Sequence, residues 1–367
     1  MPLTVLNVPY PFVPLTPDPV GGAEQVLMHL DRALVEAGHR SLLIAPEGSQ
    51  CVGELMPIRA ASTSLSEQVR RDTEQAVRLA LAAVCREHSV DVVHLHGSDF
   101  ASYLPPWAMP VLVTLHLPLG WYPAGSLQPQ RRDTWLVPVS PAQAHEAWPG
   151  LELLAPVENG VPLEDFAPLR RSRGEFALAM GRICPEKGFH HALDASRRAG
   201  VPVLLAGAIH GWPEHRQYFE QQIVPRLDSS CRWIGRITGH RKRRLLSAAR
   251  CVLIPSRDET SSLVAREALA AGTPVIAFRV GALPDVVEHG VTGYLVDDVA
   301  QMAEALQIAD RLDRAACREV ARQRFDLKRC MDGYLGLYRR IASGELSHLA
   351  RSPACAIRAA STADIDR

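Results

Sequence analysis

Short apolar runs alternate with amphipathic segments along most of this chain. In the first half the pattern predicts strands over 3–8, 41–45, 91–95, 111–115 and 135–139, with helices over 23–37 and 65–87. In the second half it predicts strands over 176–180, 203–206, 232–234, 251–254 and 274–278, with helices between them. These strand runs are apolar on both faces, which is typical of a parallel sheet that helices cover on each side. The pattern therefore predicts the α/β class.

The two series of elements are separated by turn and linker sequence at 157–162 and 170–173. A chain of 367 residues is also long for a single core and suggests two domains. We therefore expect two Rossmann-like, doubly wound parallel-sheet domains, over 1–160 and 161–324. Ligands of such sheets bind at the carboxyl ends of the strands, so both domains should face a common cleft.

The C-terminal part predicts one more amphipathic helix, within 325–345. Tyr334, Leu337 and Tyr338 have the spacing of one helix face in this segment. Beyond it, 346–367 is mostly small and polar, and we expect it to form a flexible tail.

Composition narrows the choice of partners and compartment. Lys and Arg total 40, and Asp and Glu also total 40, so no nucleic-acid partner is expected. The eight cysteines lack Cys-x2-Cys spacing, so neither a disulfide framework nor a metal site is predicted. The N-terminus lacks the basic region of a signal peptide, and no apolar run approaches the length of a membrane span. These features favour a cytoplasmic protein.

A candidate phosphate-binding loop, Gly181-Arg-Ile-Cys-Pro-Glu-Lys-Gly188, lies between a predicted strand and a predicted helix. Gly181 permits close approach of the backbone to a ligand. Arg182 offers a planar fork and Lys187 a compact ammonium, and together they can offset about two negative charges of a diphosphate. Only two other lysines occur, Lys242 and Lys328. The alternative interpretation is an ordinary solvated turn.

Two carboxylates, Glu259 and Glu267, flank the seven residues Thr-Ser-Ser-Leu-Val-Ala-Arg. The pattern predicts a loop Glu followed by a Glu on the next helix, whose free N-terminal amides favour phosphate. Carboxylates repel phosphate but accept hydrogen bonds from the hydroxyls of a sugar. An isolated pair of this kind is more often an amphipathic helix with two exposed Glu. Beside the preceding loop, the pair predicts a site for a phosphate group and the sugars attached to it.

These two segments together resemble the retaining glycosyltransferases of family 4, also called glycosyl transferases group 1. The first segment is similar to the family pattern Gly-Arg-x-x-Pro-Glu-Lys-Gly at every fixed position, and the second to Glu-x7-Glu. The resemblance implies the GT-B fold, with the last helix crossing back to the first domain. It also implies that Glu267 holds ribose hydroxyls and Glu259 holds hydroxyls of the transferred sugar. Amides of Ser261, Ser262 and Leu263 would face the phosphate and sugar.

The chain departs from the family pattern in one respect. The family usually has an aromatic residue and then Gly at the positions of Ser261 and Ser262. Serine is a good N-cap and still supplies backbone N–H groups, so binding can persist. The fit of the donor sugar is the property that this change would alter.

The first half contributes two further candidates. Gly21 and Gly22 open the first helix, where paired glycines permit close ligand approach, although such pairs are also ordinary turn residues. The resemblance implies that this loop faces the diphosphate and the acceptor. It likewise implies that His116, at the end of a strand, touches the donor sugar. His94 and His96, which end the preceding strand, are interpreted as structural.

The implied reaction needs neither a cofactor nor a metal. A UDP-, GDP- or ADP-linked hexose would be the donor substrate, and an unidentified hydroxyl group the acceptor. Arg182 and Lys187 would stabilise the departing diphosphate as its charge grows, and the anomeric configuration would be retained. Glu259 would position the sugar and is not expected to act as a nucleophile.

Three other functions are alternatives to glycosyl transfer. A hydrolase or epimerase on the same scaffold would need an acid or base in the first domain, for which His96 or Glu24 are candidates. A non-catalytic sugar-nucleotide-binding protein would share the binding residues. A dinucleotide oxidoreductase would need a glycine fingerprint after the first strand, and the sequence does not contain that arrangement.

The basic run His240-Arg-Lys-Arg-Arg244 begins a predicted helix. Such a run is most often a solvated helix face. Peripheral contact with an anionic membrane surface or an acidic partner is the alternative. The aromatic residues that single-stranded nucleic-acid binding requires are absent from this run.

Overall fold

The computed structural model describes residues 1–17, 19, 21–59, 66–166 and 174–346. Within these ranges the chain forms two sheets, each of six parallel strands. The first sheet contains β1 (Thr4–Val8), β2 (Arg40–Pro46), β3 (Glu54–Ile58), β4 (Val92–Leu95), β5 (Val111–Leu115) and β6 (Thr134–Pro138). Its helices are α1 (Gly22–Glu36), α2 (Glu67–Glu87) and α3 (Pro141–His145).

The second sheet repeats this arrangement. Its strands are β7 (Ala177–Met180), β8 (Val203–Ala206), β9 (Cys231–Trp233), β10 (Val252–Ile254), β11 (Val275–Phe278) and β12 (Gly293–Val296). The helices that follow β7 are α4 (Phe189–Ala199), α5 (Pro213–Tyr218), α6 (Gly239–Ala248), α7 (Leu263–Ala270), α8 (Leu283–Val286), α9 (Val299–Ile308), α10 (Arg314–Arg324) and α11 (Leu327–Ala342). The predicted α/β class with two doubly wound parallel sheets is confirmed.

Both sheets have the same strand order. The first runs β3-β2-β1-β4-β5-β6, and the second, read from its far edge, runs β9-β8-β7-β10-β11-β12. In such a sheet the first three strands are added towards one edge and the next three towards the other, so the order of addition reverses between the first and fourth strands. Ligands bind at the carboxyl ends of the strands beside that point. The expected binding sites are therefore the loops after β1 and β4 and the loops after β7 and β10.

The buried faces explain why the strands are apolar throughout. Neighbouring residues of β1 face opposite sides of the sheet: Leu6 packs with the α2 side, and Val5 packs with α1 and α11. The second sheet is likewise enclosed by two separate buried clusters. Each sheet is thus buried on both faces, as the sequence predicts.

The sequence pattern predicts ten of the twelve strands and misses β3 and β12. Both are edge strands. Edge strands are short and partly solvated, and they tolerate residues that interrupt a central strand. Pro57 lies within β3, and Gly293 begins β12, so neither segment has the continuous apolar run of a central strand.

Helix α11 returns to the first half, and the predicted crossover is confirmed. Asp326 forms a bridge with Val161, where the chain passes between the two halves. Tyr334, Leu337 and Tyr338 are buried in the same cluster as α1 and the first sheet. Of the tail predicted over 346–367, the structure describes only Leu346, which is buried in the same cluster as α11 and is not part of a flexible segment. Residues 347–367 and the predicted linker over 170–173 lie outside the described residues, and the boundary at 160 stays a prediction. No helix within the described ranges is both long and apolar enough to span a membrane.

Candidate active site

The loop after β7 is shaped by two glycines. Gly181 follows the strand with φ 153°, and Gly188 closes the turn Pro185–Lys187 with φ 59°. A Cβ atom on Gly188 would lie 2.2 Å from the carbonyl oxygen of Pro255, which follows β10. Only glycine permits both the left-handed backbone and this close approach. The loops after β7 and β10 are therefore pressed together at the predicted position.

This contact joins Lys187 to Glu259. The Lys187 Nζ donates to Glu259 Oε2 at 2.6 Å. The Lys187 side chain is 25% exposed and that of Glu259 is 9% exposed. A lysine ammonium has three donor positions, so this bond leaves capacity for an anionic ligand on the open side. The backbone carbonyl oxygen of Glu259 accepts a hydrogen bond from the N–H of Ala282 at 2.8 Å.

A second lysine–glutamate pair joins α6 to α7. Lys242 Nζ donates to Glu267 Oε1 at 2.7 Å, and the two side chains are 20% and 6% exposed. The sequence interpretation of the basic run as a solvated face is therefore wrong for Lys242. Periodicity misses this residue because its partner is 25 positions away along the chain. Two of the three lysines thus neutralise Glu259 and Glu267, the two carboxylates of the candidate site.

Arg182 lies near the beginning of the same loop, close to His210 and His215. Burial, and then the charge of Arg182, lower the pKa of both imidazoles. These rings are consequently neutral at pH 7, and the guanidinium is the local positive charge.

The turn before α7 is strained at Ser262. Its φ is 45°, and among the described residues it alone combines a side chain with positive φ. The Oγ atom of Ser262 accepts from the N–H of Ala265 and caps the helix. A left-handed backbone costs about 1–2 kcal/mol for a residue other than glycine. The chain therefore places a serine in a backbone conformation that favours glycine, at the position where the resemblance implies Gly.

Ser261 is held by a buried cation that the sequence analysis does not predict. Arg266 is completely buried, and its Nη1 donates to Ser261 Oγ at 2.5 Å. Its Nη2 lies 3.4 Å from Glu158 Oε2, and the guanidinium lies over the Phe325 ring at 5.0 Å. Burial lowers the pKa of Arg266 to about 10. Asn159 Nδ2 also donates to Ser261 Oγ, at 3.0 Å.

This network connects the Glu259–Glu267 segment to the chain between the two halves. Glu158 and Asn159 precede the crossing at Val161, and Phe325 lies beside its return at Asp326. Serine at the family's aromatic position is therefore matched by a guanidinium that hydrogen-bonds it. The sequence pattern does not predict the hydrogen bond between Arg266 and Ser261, because a single Arg on a helix is normally exposed.

Of the two glycines at the start of α1, Gly22 lies against the second half, whereas Gly21 faces the Glu24 side chain of α1 itself. Gly21 has extended backbone with φ −87°, so the left-handed freedom of glycine is not used there. A Cβ atom on Gly22 would lie 3.3 Å from Leu263 Cδ1. The small residue is explained by this approach of α1 to the N-terminus of α7. Elsewhere, Arg70 of α2 lies over the Trp212 ring at 5.8 Å and also bridges the halves.

His116 belongs to a buried group of three imidazoles, His94, His96 and His116, which we call the histidine cluster. His96 Nδ1 and His116 Nε2 are 3.1 Å apart. His94 contacts Tyr338 Oη at 2.6 Å and Thr114 Oγ1 at 2.7 Å through its two ring nitrogens. The strand-end histidines are thereby linked to α11.

Burial lowers the pKa of every member of the histidine cluster, and that of His116 reaches about 4. All three rings are therefore neutral at pH 7. His94 is fully satisfied by its two partners, in keeping with its structural interpretation. Neutral His116 can exchange hydrogen bonds with hydroxyl groups but does not supply a positive charge.

Sequence reasoning misses Asp99, which follows β4 at the candidate edge of the sheet. Tyr103 donates to its Oδ1 at 2.9 Å, and its Oδ2 is buried without a hydrogen-bond partner. Burial raises the pKa of Asp99 to about 6. Tyr10, Glu74 and Arg70 also interact with it electrostatically. No local motif marks this carboxyl, because the loop after β4 acquires its environment only by folding.

An open cavity of about 420 Å³ lies between the two halves. Thr16 and Pro17, from the loop after β1, line one side, and Arg236 and Thr238, from the loop after β9, line the other. This volume is in the range of small-molecule sites.

Two family models match this chain, one in each half. The Glycosyltransferase Family 4 model matches residues 20–142, and the model for Glycosyl transferases group 1 matches residues 175–309. The second range contains the loop after β7 and both glutamates. The first contains the glycine pair and the histidine cluster.

Similar sequences include a protein named as a glycosyltransferase and one named as a glycogen synthase. The chain is 33% identical to a D-inositol 3-phosphate glycosyltransferase of Saccharomonospora viridis over an alignment 213 positions long, which covers 50% of this chain and 49% of that protein. It therefore spans about half the length of that relative. It is 28% identical to a glycogen synthase of Mycobacterium tuberculosis over an alignment 378 positions long, which covers 87% of this chain and 89% of that protein.

Solved structures share the fold. Sucrose-phosphate synthase of Thermosynechococcus elongatus has a TM-score of 0.81 at 20% identity, covering 93% of this chain and 100% of that one. HepE of Anabaena, solved with UDP and glucose, has a TM-score of 0.72 at 17% identity, covering 92% and 99%. Both halves of the chain thus match in sequence and in architecture, and the protein belongs to the group 1 glycosyltransferases with the GT-B fold.

Proposed function

We propose that this protein is a retaining glycosyltransferase that moves a hexosyl group from a nucleoside-diphosphate sugar to an acceptor hydroxyl. The observation that carries the proposal is the pair of ion pairs, Lys187–Glu259 and Lys242–Glu267, placed on either side of the α7 N-terminus. This arrangement presents cations, helix amides and hydroxyl-binding carboxylates on one edge of the second sheet. A diphosphate flanked by two sugars requires that combination.

The diphosphate would lie between the loop after β7 and the start of α7. Lys187 can hold Glu259 with one N–H and a phosphate oxygen with another. The amides of Ser262 and Leu263 would add the partial positive charge of a helix N-terminus. HepE supports this choice of donor class, because that related fold was solved with UDP and glucose.

The two carboxylates would hold the two sugars of the donor. Glu267, already oriented by Lys242, would accept hydrogen bonds from the ribose hydroxyls. Glu259, 9% exposed and oriented by Lys187, would accept them from the transferred hexose near the reacting carbon. Because both carboxylates start out neutralised, sugar hydroxyls can bind them without bringing an uncompensated anion beside the diphosphate.

The chemical step would be driven by stabilising the leaving group. As the bond from the anomeric carbon to the phosphate oxygen breaks, negative charge grows on the diphosphate and positive charge on the hexose. Lys187 and Arg182 would stabilise the diphosphate without a divalent metal. The acceptor would attack from the same face, and its proton would pass to the departing phosphate oxygen, so that configuration is retained.

The first half would supply the acceptor side. Neutral His116 would position the hexose by a hydrogen bond, and the loops after β1 and β4 would shape the acceptor pocket. The two relatives are named for different acceptors, an inositol phosphate and a glycogen chain, so this proposal commits to a hydroxyl and to no particular molecule.

A panel of UDP-, GDP- and ADP-hexoses tests the donor. One of them should raise the melting temperature in the presence of a chelator, and the protein should release the matching nucleoside diphosphate from it. Free UDP, GDP and ADP serve as controls for the contribution of the nucleotide alone. If none of these ligands stabilises the protein, the sugar-nucleotide site is wrong.

The anomer of the product tests the stereochemistry. With water as a slow acceptor, proton NMR of the first hexose released from an α-linked donor should show the α-anomer before mutarotation. Appearance of the β-anomer first would exclude retention while leaving the donor site intact. Turnover to an epimerised nucleotide sugar would instead favour the alternative chemistry on this scaffold.

A further inference from the structure

Three potential metal ligands converge beside the phosphate-binding loop. Cys184, Glu186 and His215 each offer one ligand atom, and these atoms lie within 4.8 Å of one another. Cys184 is buried, and the other two are partly buried. Cys184 and Glu186 flank Pro185 in the loop, whereas His215 comes from α5. The cluster thus joins the loop that carries Lys187 to a separate helix.

The imidazoles on this side have unused nitrogens. His215 Nδ1 and His210 Nε2 are both buried without a hydrogen-bond partner. Their rings lie 6.3 Å apart, edge to face. A buried polar atom without a partner costs about 1–3 kcal/mol, so native structures rarely keep two side by side without a reason. A ligand that accepts nitrogen lone pairs would provide one.

We propose that Cys184, Glu186 and His215 form a binding site for a divalent cation of the zinc class. The donor set contains one sulfur, one nitrogen and one carboxylate oxygen. Zinc binds these three types at about 2.0–2.3 Å, whereas magnesium and calcium prefer oxygen alone. In a tetrahedral site such bonds separate neighbouring ligand atoms by about 3.3–3.8 Å. The upper limit of 4.8 Å between the observed ligand atoms exceeds this separation by about 1 Å, so small side-chain movements would complete the geometry.

The fourth position would be filled by His210 or by water. His210 Nε2 lies on the same side and has no other partner. The charge balance also favours a dication, because a thiolate and a carboxylate together carry two negative charges. The occupied site would be neutral overall, so it would not repel Arg182 from the neighbouring diphosphate site.

The position of the site suggests what the cation does. Glu186 is already fixed through its carbonyl oxygen, which accepts from the N–H of Arg257 at 2.8 Å. A cation would fix the other side of the turn to α5 and so hold Lys187 in place. It would bind beside the diphosphate site and take no part in the reaction, so this inference does not depend on the proposed function.

The sequence does not predict this site because its ligands do not have a known spacing. Cys184 and Glu186 are two residues apart, and His215 is 29 residues further on, in a different element. Only the contact between the loop after β7 and α5 assembles the three. This is the reason that cysteine spacing alone predicts no metal.

Metal content of the untagged protein provides the first test. The protein should retain zinc in stoichiometric amount after dialysis, as measured by mass spectrometry of the elements. When Co²⁺ replaces the zinc, a thiolate-to-cobalt charge-transfer band and intense d–d bands should appear, which report sulfur ligation and tetrahedral geometry. Absence of the charge-transfer band with Co²⁺ in excess would overturn the proposal.

Variants identify the ligands. Cys184→Ser should abolish the charge-transfer band, and His215→Gln should weaken Co²⁺ binding by about tenfold or more. Cys85→Ser is the matched control, because Cys85 is a partly buried thiol on α2, and this variant should keep the full spectrum. Equal Co²⁺ spectra for Cys184→Ser and Cys85→Ser would place the metal elsewhere.

Stability measurements cover the case in which Cys184→Ser folds poorly. Removal of zinc by a chelator should lower the melting temperature of the wild type and of Cys85→Ser, but not that of His215→Gln. An equal decrease in all three proteins would contradict the assignment. None of these measurements uses the transfer reaction, so their failure would leave the proposed function untouched.

Discussion

The three lysines of this chain allow a sharp test of the proposed leaving-group stabilisation. Lys187→Ala removes the ammonium that lies 2.6 Å from Glu259, at a site where the lysine side chain is 25% exposed. Two unit charges about 4 Å apart interact by about 4 kcal/mol near a protein surface. Only the charge that develops on the diphosphate in the transition state contributes to catalysis, so we expect a loss of about 2–4 kcal/mol, or about 30- to 1,000-fold in kcat.

The same substitution leaves Glu259 nearly buried without its partner. This should lower the free energy of unfolding by about 1–3 kcal/mol, which a protein of this size can tolerate. Circular dichroism and thermal unfolding would establish that the variant is folded. Release of nucleoside diphosphate from the donor found by the panel, measured against donor concentration, then separates kcat from KM.

Lys328→Ala is the matched control. Lys328 is 77% exposed on α11 and pairs with Asp332 one turn away at 2.5 Å, so its removal should change neither kinetic constant. A kcat for Lys187→Ala within about threefold of the Lys328→Ala value would refute the electrostatic reasoning. Equal large losses in both variants would point to a general effect of removing lysine.

Three further predictions concern other parts of the site. Lys242→Ala should raise the donor KM by about tenfold with little change in kcat, because the ammonium orients Glu267 for the ribose in the ground state as well as in the transition state; a loss confined to kcat would contradict this role. Ser262→Gly should raise the free energy of unfolding by about 0.5 kcal/mol in urea titrations, because relief of the left-handed backbone exceeds the entropy cost of glycine and the loss of the cap. A decrease in the free energy of unfolding would show that the cap dominates. The free energy of unfolding should fall as the pH decreases from 6.5 towards 4, by about 1.4 kcal/mol per unit for His116, because burial holds its folded pKa at about 4 while the unfolded chain takes up the proton. Asp99, whose pKa burial raises to about 6, acts in the opposite direction, so Asp99→Asn should steepen that fall, and an unchanged slope would contradict its burial.

Local patterns predict the elements that are buried on both faces. The central strands and the amphipathic helix α11 are recognisable because burial imposes its own periodicity on the sequence. The strands β3 and β12 escape this reasoning because Pro57 and Gly293 break or shorten their apolar runs, which an edge strand tolerates; the other two edge strands, β6 and β9, are predicted. The order of strands follows from handedness and connection rules only once the number of strands is known.

The site divides in the same way. The glycines of the phosphate-binding loop and the two glutamates can be identified from the sequence because their backbone conformation and spacing are local requirements. Lys242, Arg266 and Asp99 cannot be identified in this manner. Their partners or surroundings come from distant segments, so the sequence gives each of them the appearance of an ordinary surface residue.

By itself, the sequence determines the two α/β halves and the conformation of the glycine-bounded loop after β7, because periodicity and glycine placement act within a few residues. Tertiary structure alone decides which charges meet. It places Lys187 on Glu259 and Lys242 on Glu267, buries Arg266 against Ser261, and gathers Cys184, Glu186 and His215. The physical reason is that charge pairing and metal ligation depend on separation in space, which parallel-sheet crossovers set across tens of residues.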